Sequence, residues 1–329
     1  MSKIIIGIHG LGNKPPKEIL EEWWIKSICE GLKNIDRFQF KPKFEMVYWA
    51  DILNDKPLNN LITDPENPYY LDEPYTPGAN LATLKQNTRR KKFLGFLEEQ
   101  MDKIFLNEDL SSNFEFVSEM VFKKYFKELE VYYSKQPKVN DSSYKSIKDI
   151  IRNRLAETLK KHKGKEIFLV SHSMGSIIAY DVCTFLVPDI KIDTLITMGS
   201  PLGFPVIVSK IAEELKISHP KIAKLQTPPN IQKNWVNYSD LEDNVALNYD
   251  LNDDYEANSF GVRVTDEIIQ NNYSVGEERN PHKSYGYLRT PEFSNLVADF
   301  IEKDRSKLKL WWLKKEYQLE SLLKSVNIK

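Results

Sequence analysis

The sequence predicts an α/β fold in which a mostly parallel sheet is flanked by helices. Two observations carry this prediction. Short apolar runs rich in β-branched residues, such as those at 4–8 and 166–170, alternate along the chain with stretches of helical periodicity. Small residues follow several of these runs, as at Gly10, Gly175 and Gly199, where open α/β sheets place their ligands. Strands joined through helices make right-handed crossovers, so the strands are expected to run parallel.

The predicted elements form a regular series. The β-branched runs predict strands at 3–8, 44–49, 166–170, 192–198, 233–238 and 259–264. Apolar residues at helical spacing predict helices at 15–32, 146–161, 177–186, 205–215 and 291–301, the first of them with proline near its start. This series occupies two separate parts of the chain, 1–51 and 146–304, which we interpret as one α/β core.

Residues 52–145 interrupt the alternation of strands and helices. The first part, 53–80, is rich in proline, asparagine, aspartate and tyrosine and is predicted to be a long irregular loop. Helices are predicted at 93–105 and 113–133 from their apolar spacing. We interpret the whole segment as a helical insertion. Two placements are equally open: a cap over the strand ends that controls access to a site, or a subdomain packed to one side.

The C-terminal segment 305–329 predicts a separate amphipathic helix. Between 307 and 326, leucines, tryptophans and a tyrosine form a broad apolar side, and lysines occupy the rest. Docking on the body of the protein is the favoured role. A homodimer contact and peripheral contact with a membrane surface are the alternatives.

Composition excludes several classes of function. The 329 residues are 41% hydrophobic and 28% charged, as in soluble globular proteins, and the net charge of −1 gives no footprint for nucleic acid. The two cysteines, Cys29 and Cys183, lie in apolar helical patterns and are expected to be buried free thiols. The apolar run at 4–8 is too short for a signal peptide or a membrane span, so a cytoplasmic location is expected.

The stretch from Ser171 to Gly175 predicts a nucleophile elbow with Ser173 at its apex. A buried strand precedes it and an apolar helical pattern follows it, which is the context that this motif requires. Such a turn needs small residues two positions either side of the nucleophile. Gly175 meets that need, whereas Ser171 stands where a glycine is usual. The alternative is an ordinary polar turn between a strand and a helix.

A second glycine turn follows the first strand at His9-Gly10-Leu11-Gly12. In α/β enzymes with a serine nucleophile, a turn of this type supplies one backbone N–H to an oxyanion hole, and the residue after the nucleophile supplies the other. Here these donors would be Leu11 and Met174. We expect His9 to support the loop by hydrogen bonds. A dinucleotide fingerprint is disfavoured because two prolines follow and the third glycine is missing.

A serine nucleophile needs a base and an acid that orients the base. Of the five histidines, His282 fits best, because it lies in a loop after the last strand. The side chain of His172, beside Ser173, is expected to point away from the apex. For the acid, Asp243 is preferred and Asp240 is the alternative, since both lie in the loop after the penultimate strand. Asp266 and Glu267 are distant third choices, placed after the last strand.

With these residues identified, the chain resembles the α/β-hydrolase superfamily, and within it bacterial serine esterases and lipases. The resemblance rests on the Gly10 and Gly12 turn, the elbow at Ser173, the glycine loop 199–203, Asp243-Asn244-Val245, and His282 with the residues after it. It covers 1–49 and 164–301, and leaves out the insertion and the C-terminal helix. It implies catalytic loops at one edge of the sheet and an acyl-enzyme mechanism that needs no metal or organic cofactor.

The sequence favours a carboxylic ester as substrate, either a small molecule or a lipid. Aromatic residues between Tyr69 and Tyr75 and the apolar helices of the insertion would suit an acyl chain. Amide and thioester hydrolysis use the same machinery and stay open. A further alternative is a hydrolase scaffold that has become a non-catalytic binding or regulatory module.

Overall fold

The protein is described by a computed structural model. It describes residues 2–37, 41–78, 127–134, 146–217, 224–243, 245–246, 249–304 and the single positions 306, 312 and 315. The strands in these parts are β1 Lys3–Ile8, β2 Phe44–Val47, β3 Glu166–His172, β4 Ile192–Met198, β5 Leu225–Gln226, β6 Ile231–Ser239, β7 Tyr255–Glu256, β8 Val264–Ile268, β9 Ser274–Val275 and β10 Glu278–Arg279. Six of them form one parallel sheet in the order β2-β1-β3-β4-β6-β8.

Helices cover both faces of this sheet. In chain order they are α1 Lys17–Asn34, α2 Ala50–Leu53, α3 Lys127–Tyr133, α4 Ile147–Lys161, α5 Met174–Asp181 with a π-helical turn Val182–Leu186, α6 Pro205–Lys216, α7 Ser284–Tyr287 and α8 Pro291–Glu302. Alternate residues of β1 pack in the hydrophobic clusters on opposite faces of the sheet. Ile4 and Ile6 face α4, α5 and α6, whereas Ile5 faces α1 and α8. A strand buried on both faces reads as a continuous apolar run, so the predicted α/β architecture is confirmed.

The order of the strands reverses at β1. The chain runs from β1 to β2 on one side and returns to β3 on the other, and Ile8 pairs with both Val47 and Ser171. Ligands of open α/β sheets bind outside the carboxyl ends of the strands at such a switch point. The glycine turn after β1 and the turn after β3 are therefore neighbours at that edge.

The last strand begins later than the sequence predicted. Instead of 259–264, the structure has a turn in which the side chain of Asn258 accepts from the backbone N–H groups of Phe260 and Val262 at 3.0 and 3.1 Å. Gly261 lies in this turn with φ 74°. Because β8 spans Val264–Ile268, Asp266 is inside the strand rather than after it, and so is Glu267.

Only parts of the predicted insertion lie among the described residues. Residues 52–78 are mostly irregular, with one bridge between Asn59 and Tyr70, and helix α3 falls within the predicted helix 113–133. The predicted helix at 93–105 lies outside the described residues, as does nearly all of 305–329, so the cap and the C-terminal helix stay predictions. Among the described helices, none is both long and apolar enough to cross a membrane. Cys183 is buried as expected, but Cys29 is half-buried.

Helix α3 is joined to the core through a buried polar network. The hydroxyl of Tyr132 donates to Asp181 at 2.7 Å, and Nε of Arg152 donates to the same carboxylate oxygen at 3.0 Å. The guanidinium also binds Glu214 through both terminal nitrogens, at 2.6 and 2.8 Å. Arg152 is 4% exposed and Asp181 is fully buried, so each charge depends on its partners for compensation.

We expect Arg152→Ala to lower the free energy of unfolding by about 3–5 kcal/mol, because it removes the directly bonded counter-charge of the buried carboxylate of Asp181 and leaves it with the more distant ammonium of Lys148 at 3.7 Å. Urea unfolding followed by circular dichroism measures this. Lys160→Ala is the control, since Lys160 forms an exposed pair with Glu157 and its loss should cost less than about 1 kcal/mol. Equal effects of the two substitutions would contradict the role given to the network.

Candidate functional site

Ser173 stands at a sharp turn between β3 and α5. Its φ is 54° and its ψ is −131°, a conformation that glycine adopts far more easily than serine. Among the described non-glycine residues, only Asp36 also has a positive φ. The backbone N–H of Ser173 donates to the carbonyl of Met198 at 2.9 Å, which ties the turn to the end of β4. The strand, strained turn and helix are the local structure that the elbow motif predicts.

Close backbone packing explains the small residues around Ser173. A Cβ on Gly175 would lie 2.7 Å from the carbonyl oxygen of Ile8, and a Cβ on Gly10 would lie 2.5 Å from the Cβ of Ser173. Both distances are too short for any side chain. Ser171 is accommodated in place of the usual glycine because its hydroxyl donates to the carbonyl of Ile196 in β4 at 2.7 Å.

The structure brings Asp243 and His282 together. Nδ1 of the imidazole lies 3.0 and 2.9 Å from the two carboxylate oxygens of Asp243, whose side chain is fully buried. The carboxylate also accepts from the hydroxyl of Tyr287 and from the backbone N–H of Val245, each at 2.8 Å. Because a carboxylate only accepts hydrogen bonds, Nδ1 carries the proton and Nε2 is free to take one.

Gly199 makes room for this pair. A Cβ there would lie 2.7 Å from Oδ2 of Asp243 and 3.0 Å from Nδ1 of His282, and its φ is 53°. A side chain at this position would be strained and would also separate the acid from the imidazole. The glycine loop after β4 is thus part of the support for the site.

Asp240, the alternative acid, lies elsewhere. One of its carboxylate oxygens accepts from the backbone N–H of Asn271 and from Nη2 of Arg279, both at 2.7 Å, and the other accepts from the N–H of Glu242 at 2.8 Å. Burial raises the pKa of Asp240 above its ordinary range, although these hydrogen bonds oppose that effect. The contacts of Asp240 are those of a residue that holds the neighbouring loops together.

His9 supports the first glycine turn through its ring. Nδ1–H donates to the carbonyl of Gly10 at 2.8 Å, and Nε2 accepts from the backbone N–H of Trp49 at 3.0 Å. The ring stacks on the indole of Trp49 at a centroid distance of 4.9 Å. The ammonium of Lys14 donates to the carbonyl of Leu11 and, at 2.9 Å, to that of Gly12, so the turn is held from both sides.

His172 is closer to the site than the sequence suggested. Its side chain does not point away but packs on the imidazole of His282, with 4.7 Å between ring centroids. Its Nε2–H donates to the carbonyl of His282 at 2.6 Å. His172 is the last residue of β3 and follows Phe168 and Val170 on one face of the sheet, the face on which Tyr287 also packs. Tyr287 was also missed, because nothing local in its sequence marks it as a partner of Asp243.

One cavity of about 370 Å³ collects most of these groups. It is lined by Ser173, His282, His172, His9, Leu11 and Gly12, together with Leu58, Leu71 and Glu73 from the described start of the insertion. Met174 is the first residue of α5 and is buried beside Ser173. Within the described ranges, no hydrogen bond joins Oγ of Ser173 to His282. Such contacts are often long in the absence of substrate.

Among the residues that the structure describes, no group of three or more histidine, cysteine, aspartate or glutamate side chains could hold a metal ion. No model of a known protein family matches this chain, and no curated protein is significantly similar to it. The described parts form an α/β structure around six parallel strands, an arrangement compatible with α/β-hydrolases. Membership of that superfamily and the roles of the site residues stay predictions.

We expect Ser173→Gly to raise the free energy of unfolding by about 1 kcal/mol, because glycine relieves the strain of the positive φ. Chemical unfolding of both proteins measures the difference. Ser176→Gly is the contrasting variant. Ser176 lies in α5 and shares a 2.8 Å hydrogen bond with Ser200, so its replacement should destabilise the protein. Loss of stability in Ser173→Gly would show that the turn is not strained.

A pH dependence of stability follows from two buried histidines. Burial lowers the pKa of His9 well below the ordinary 6.5, and Lys14 adds to the effect; burial and the neighbouring His282 act likewise on His172. In the unfolded chain both rings take up protons near pH 6.5, whereas in the folded chain they stay neutral. The stability that these two rings contribute is therefore fully present above pH 6.5 and is lost as the pH falls below it. The loss is about 1.4 kcal/mol per pH unit for each ring.

Unfolding in urea at pH 7.5, 6.5 and 5.5 tests this dependence. Between pH 6.5 and 5.5, we expect His9→Gln to reduce the slope of the free energy of unfolding against pH by about 1.4 kcal/mol per pH unit, the equivalent of one proton. Comparing variant with wild type removes the opposing contribution of Asp266, whose pKa burial raises to about 6. An unchanged slope would mean that His9 is protonated in the folded protein.

Proposed function

We propose that this protein is a serine hydrolase of the α/β-hydrolase superfamily that cleaves a carboxylic ester. One observation carries the proposal: a serine at a strained turn shares a cavity with an imidazole whose Nδ1 is bound to a buried carboxylate. Serine becomes nucleophilic only when an oriented base takes its proton, and these three groups have the residue types and chain order for that task.

The reaction would proceed in two halves. Oγ of Ser173 attacks the ester carbonyl while Nε2 of His282 takes its proton, and collapse of the tetrahedral intermediate expels the alcohol, which receives that proton. Water then gives a proton to the same nitrogen and attacks the acyl group. This releases the carboxylic acid and restores the hydroxyl of Ser173. Asp243 holds the productive tautomer and stabilises the imidazolium in both halves.

The negative charge that develops on the oxygen of the tetrahedral intermediate needs hydrogen-bond donors to stabilise it. The backbone N–H groups of Leu11 and Met174 are the candidates: Leu11 lies in the glycine turn after β1, and Met174 begins α5. Removing one such donor typically costs about 2.7–4 kcal/mol of transition-state stabilisation. Lys14 contributes indirectly, because it holds the carbonyls of Leu11 and Gly12.

The lining of the cavity supports an acyl or lipid ester. Leu58, Leu71, Trp24 and Tyr285 supply apolar surface beside the polar groups. Hydrolysis of an amide or a thioester would use the same catalytic groups. Comparing the hydrolysis rates of matched ester, amide and thioester substrates decides among the three. A non-catalytic binding module is the second candidate. It is favoured by the lack, among the described residues, of a hydrogen bond between Ser173 and His282.

Labelling with a fluorophosphonate probe and turnover of p-nitrophenyl esters of increasing acyl length test the proposal. We expect Ser173→Ala to lose labelling completely and Asp243→Asn to lower kcat by about 10⁴-fold through the wrong imidazole tautomer. Asp240→Asn is the matched control, and we expect it to lose much less. Full turnover in Ser173→Ala would refute the nucleophile, and absence of labelling in the folded wild type would favour the binding module.

A further inference from the structure

The carboxylate of Glu73 binds two side chains of the turn that carries His282. Its Oε1 accepts from the side-chain amide of Asn280, and its Oε2 accepts from Nζ of Lys283 at 2.8 Å. These two partners stand two residues before and one residue after His282. A single carboxylate therefore spans the turn 280–283, here called the histidine turn, from the side of the cavity.

The core holds the same turn from its other side. The side-chain amide of Asn271 donates to the carbonyls of Pro281 and Lys283, each at 2.8 Å, and His172 donates to the carbonyl of His282. These bonds limit where the backbone can lie. Glu73 adds side-chain contacts on the face that the core does not reach, so the position of the imidazole depends on both sets.

Glu73 is itself well anchored. It belongs to a segment, 72–78, that is fastened to the core at successive positions: the hydroxyl of Tyr273 donates to the carbonyl of Pro74 at 2.6 Å, and Nη1 of Arg289 donates to that of Thr76 at 2.6 Å. Further along, the backbone N–H of Gly78 donates to Glu30 at 2.6 Å. Because the segment is fixed at several points, Glu73 can restrain the histidine turn rather than follow it.

Charge reinforces the geometry. Burial alone would raise the pKa of Glu73, but the Lys283 ammonium, the Asn280 amide and the charge of His282 outweigh it and leave that pKa below its ordinary value. An interaction between two titrating groups acts equally on both. The charge of His282 is one of the causes that lower the pKa of Glu73, so the two side chains interact electrostatically as well as through the turn.

Four other side chains surround the imidazole of His282 and affect its electrostatic environment. Asp243 is the directly bonded carboxylate, and Tyr287 donates to it. Burial, together with the charge of His282, lowers the pKa of His172, which therefore faces the imidazole as a neutral ring. Lys283 is the nearby cation, and Glu73 balances it.

The geometry points to Glu73 as a positioning residue for His282: it fixes the histidine turn at both ends and sets a second carboxylate beside the imidazole. Its catalytic meaning rests on the proposed hydrolase function. Its effect on the position and titration of the imidazole is independent of whether the protein is an enzyme.

The test uses full-length protein and two readouts. The first is the titration of the His282 ring, followed by NMR of Cε1-labelled histidine and assigned with His282→Gln. In Glu73→Gln, which keeps the size of the side chain but not its charge, we expect the measured midpoint to move down, because a negative charge near the ring is lost. In Lys283→Met, which leaves the charge of Glu73 unbalanced, we expect it to move up. A purely structural role of Glu73 would leave the midpoint of Glu73→Gln at its wild-type value.

The second readout is the rate at which the fluorophosphonate labels Ser173 across pH. The acid limb of this profile should move down in Glu73→Gln, because the base stays neutral to lower pH. Glu73→Ala releases the histidine turn and should lower the plateau by up to about 10²-fold. Glu66→Gln makes the same chemical change at an exposed position of the loop and should alter neither readout.

The outcomes separate this inference from the proposed function. Unmoved midpoints in both Glu73→Gln and Lys283→Met, or equal shifts in Glu73→Gln and Glu66→Gln, would overturn the role of Glu73 whether or not the protein is an enzyme. Absence of labelling in the wild type would remove the hydrolase function. The NMR titration would still decide whether Glu73 governs the imidazole.

Discussion

The close approach of three backbone segments at the carboxyl edge of the sheet is the constraint on which the site depends. Gly175 packs on the carbonyl of Ile8, and Gly10 packs on Ser173, at distances that leave no space for a Cβ. Because these contacts are made by backbone, the turn cannot relax without moving a strand or a helix. The strained conformation of Ser173 is therefore held by packing, and its side chain stays at the wall of the cavity.

The remaining parts of the site are fastened to each other by buried polar contacts. Asp240 binds the backbone of Asn271, whose amide in turn binds the histidine turn. Leaving such a buried group without its partner costs about 1–3 kcal/mol, so these loops hold one another in place. Residues of the predicted insertion take part in such contacts as well. Tyr132 binds the carboxylate of Asp181 at the end of α5, and Glu73 binds the histidine turn.

Local patterns in the sequence were sufficient to predict most of the fold. β-branched runs and helical spacing are short-range signals, and they located five of the six strands of the parallel sheet and the main helices of the core among the described residues. The last strand was misplaced because the Asn258 turn, with Gly261 at positive φ, interrupts an apolar run that looks extended. Small residues after the strands also located Ser173 and the first glycine turn, since steric limits on a tight turn act over only a few residues.

The sequence by itself determined the type and order of the elements, and through them which loops meet at one edge of the sheet. Only the tertiary structure decided which side chains touch there. It joined Asp243 rather than Asp240 to His282, turned His172 onto the imidazole, and brought in Glu73 from 209 positions away in the chain. The physical reason is that periodicity encodes the burial of a face. A hydrogen bond between distant side chains depends instead on where whole loops come to rest.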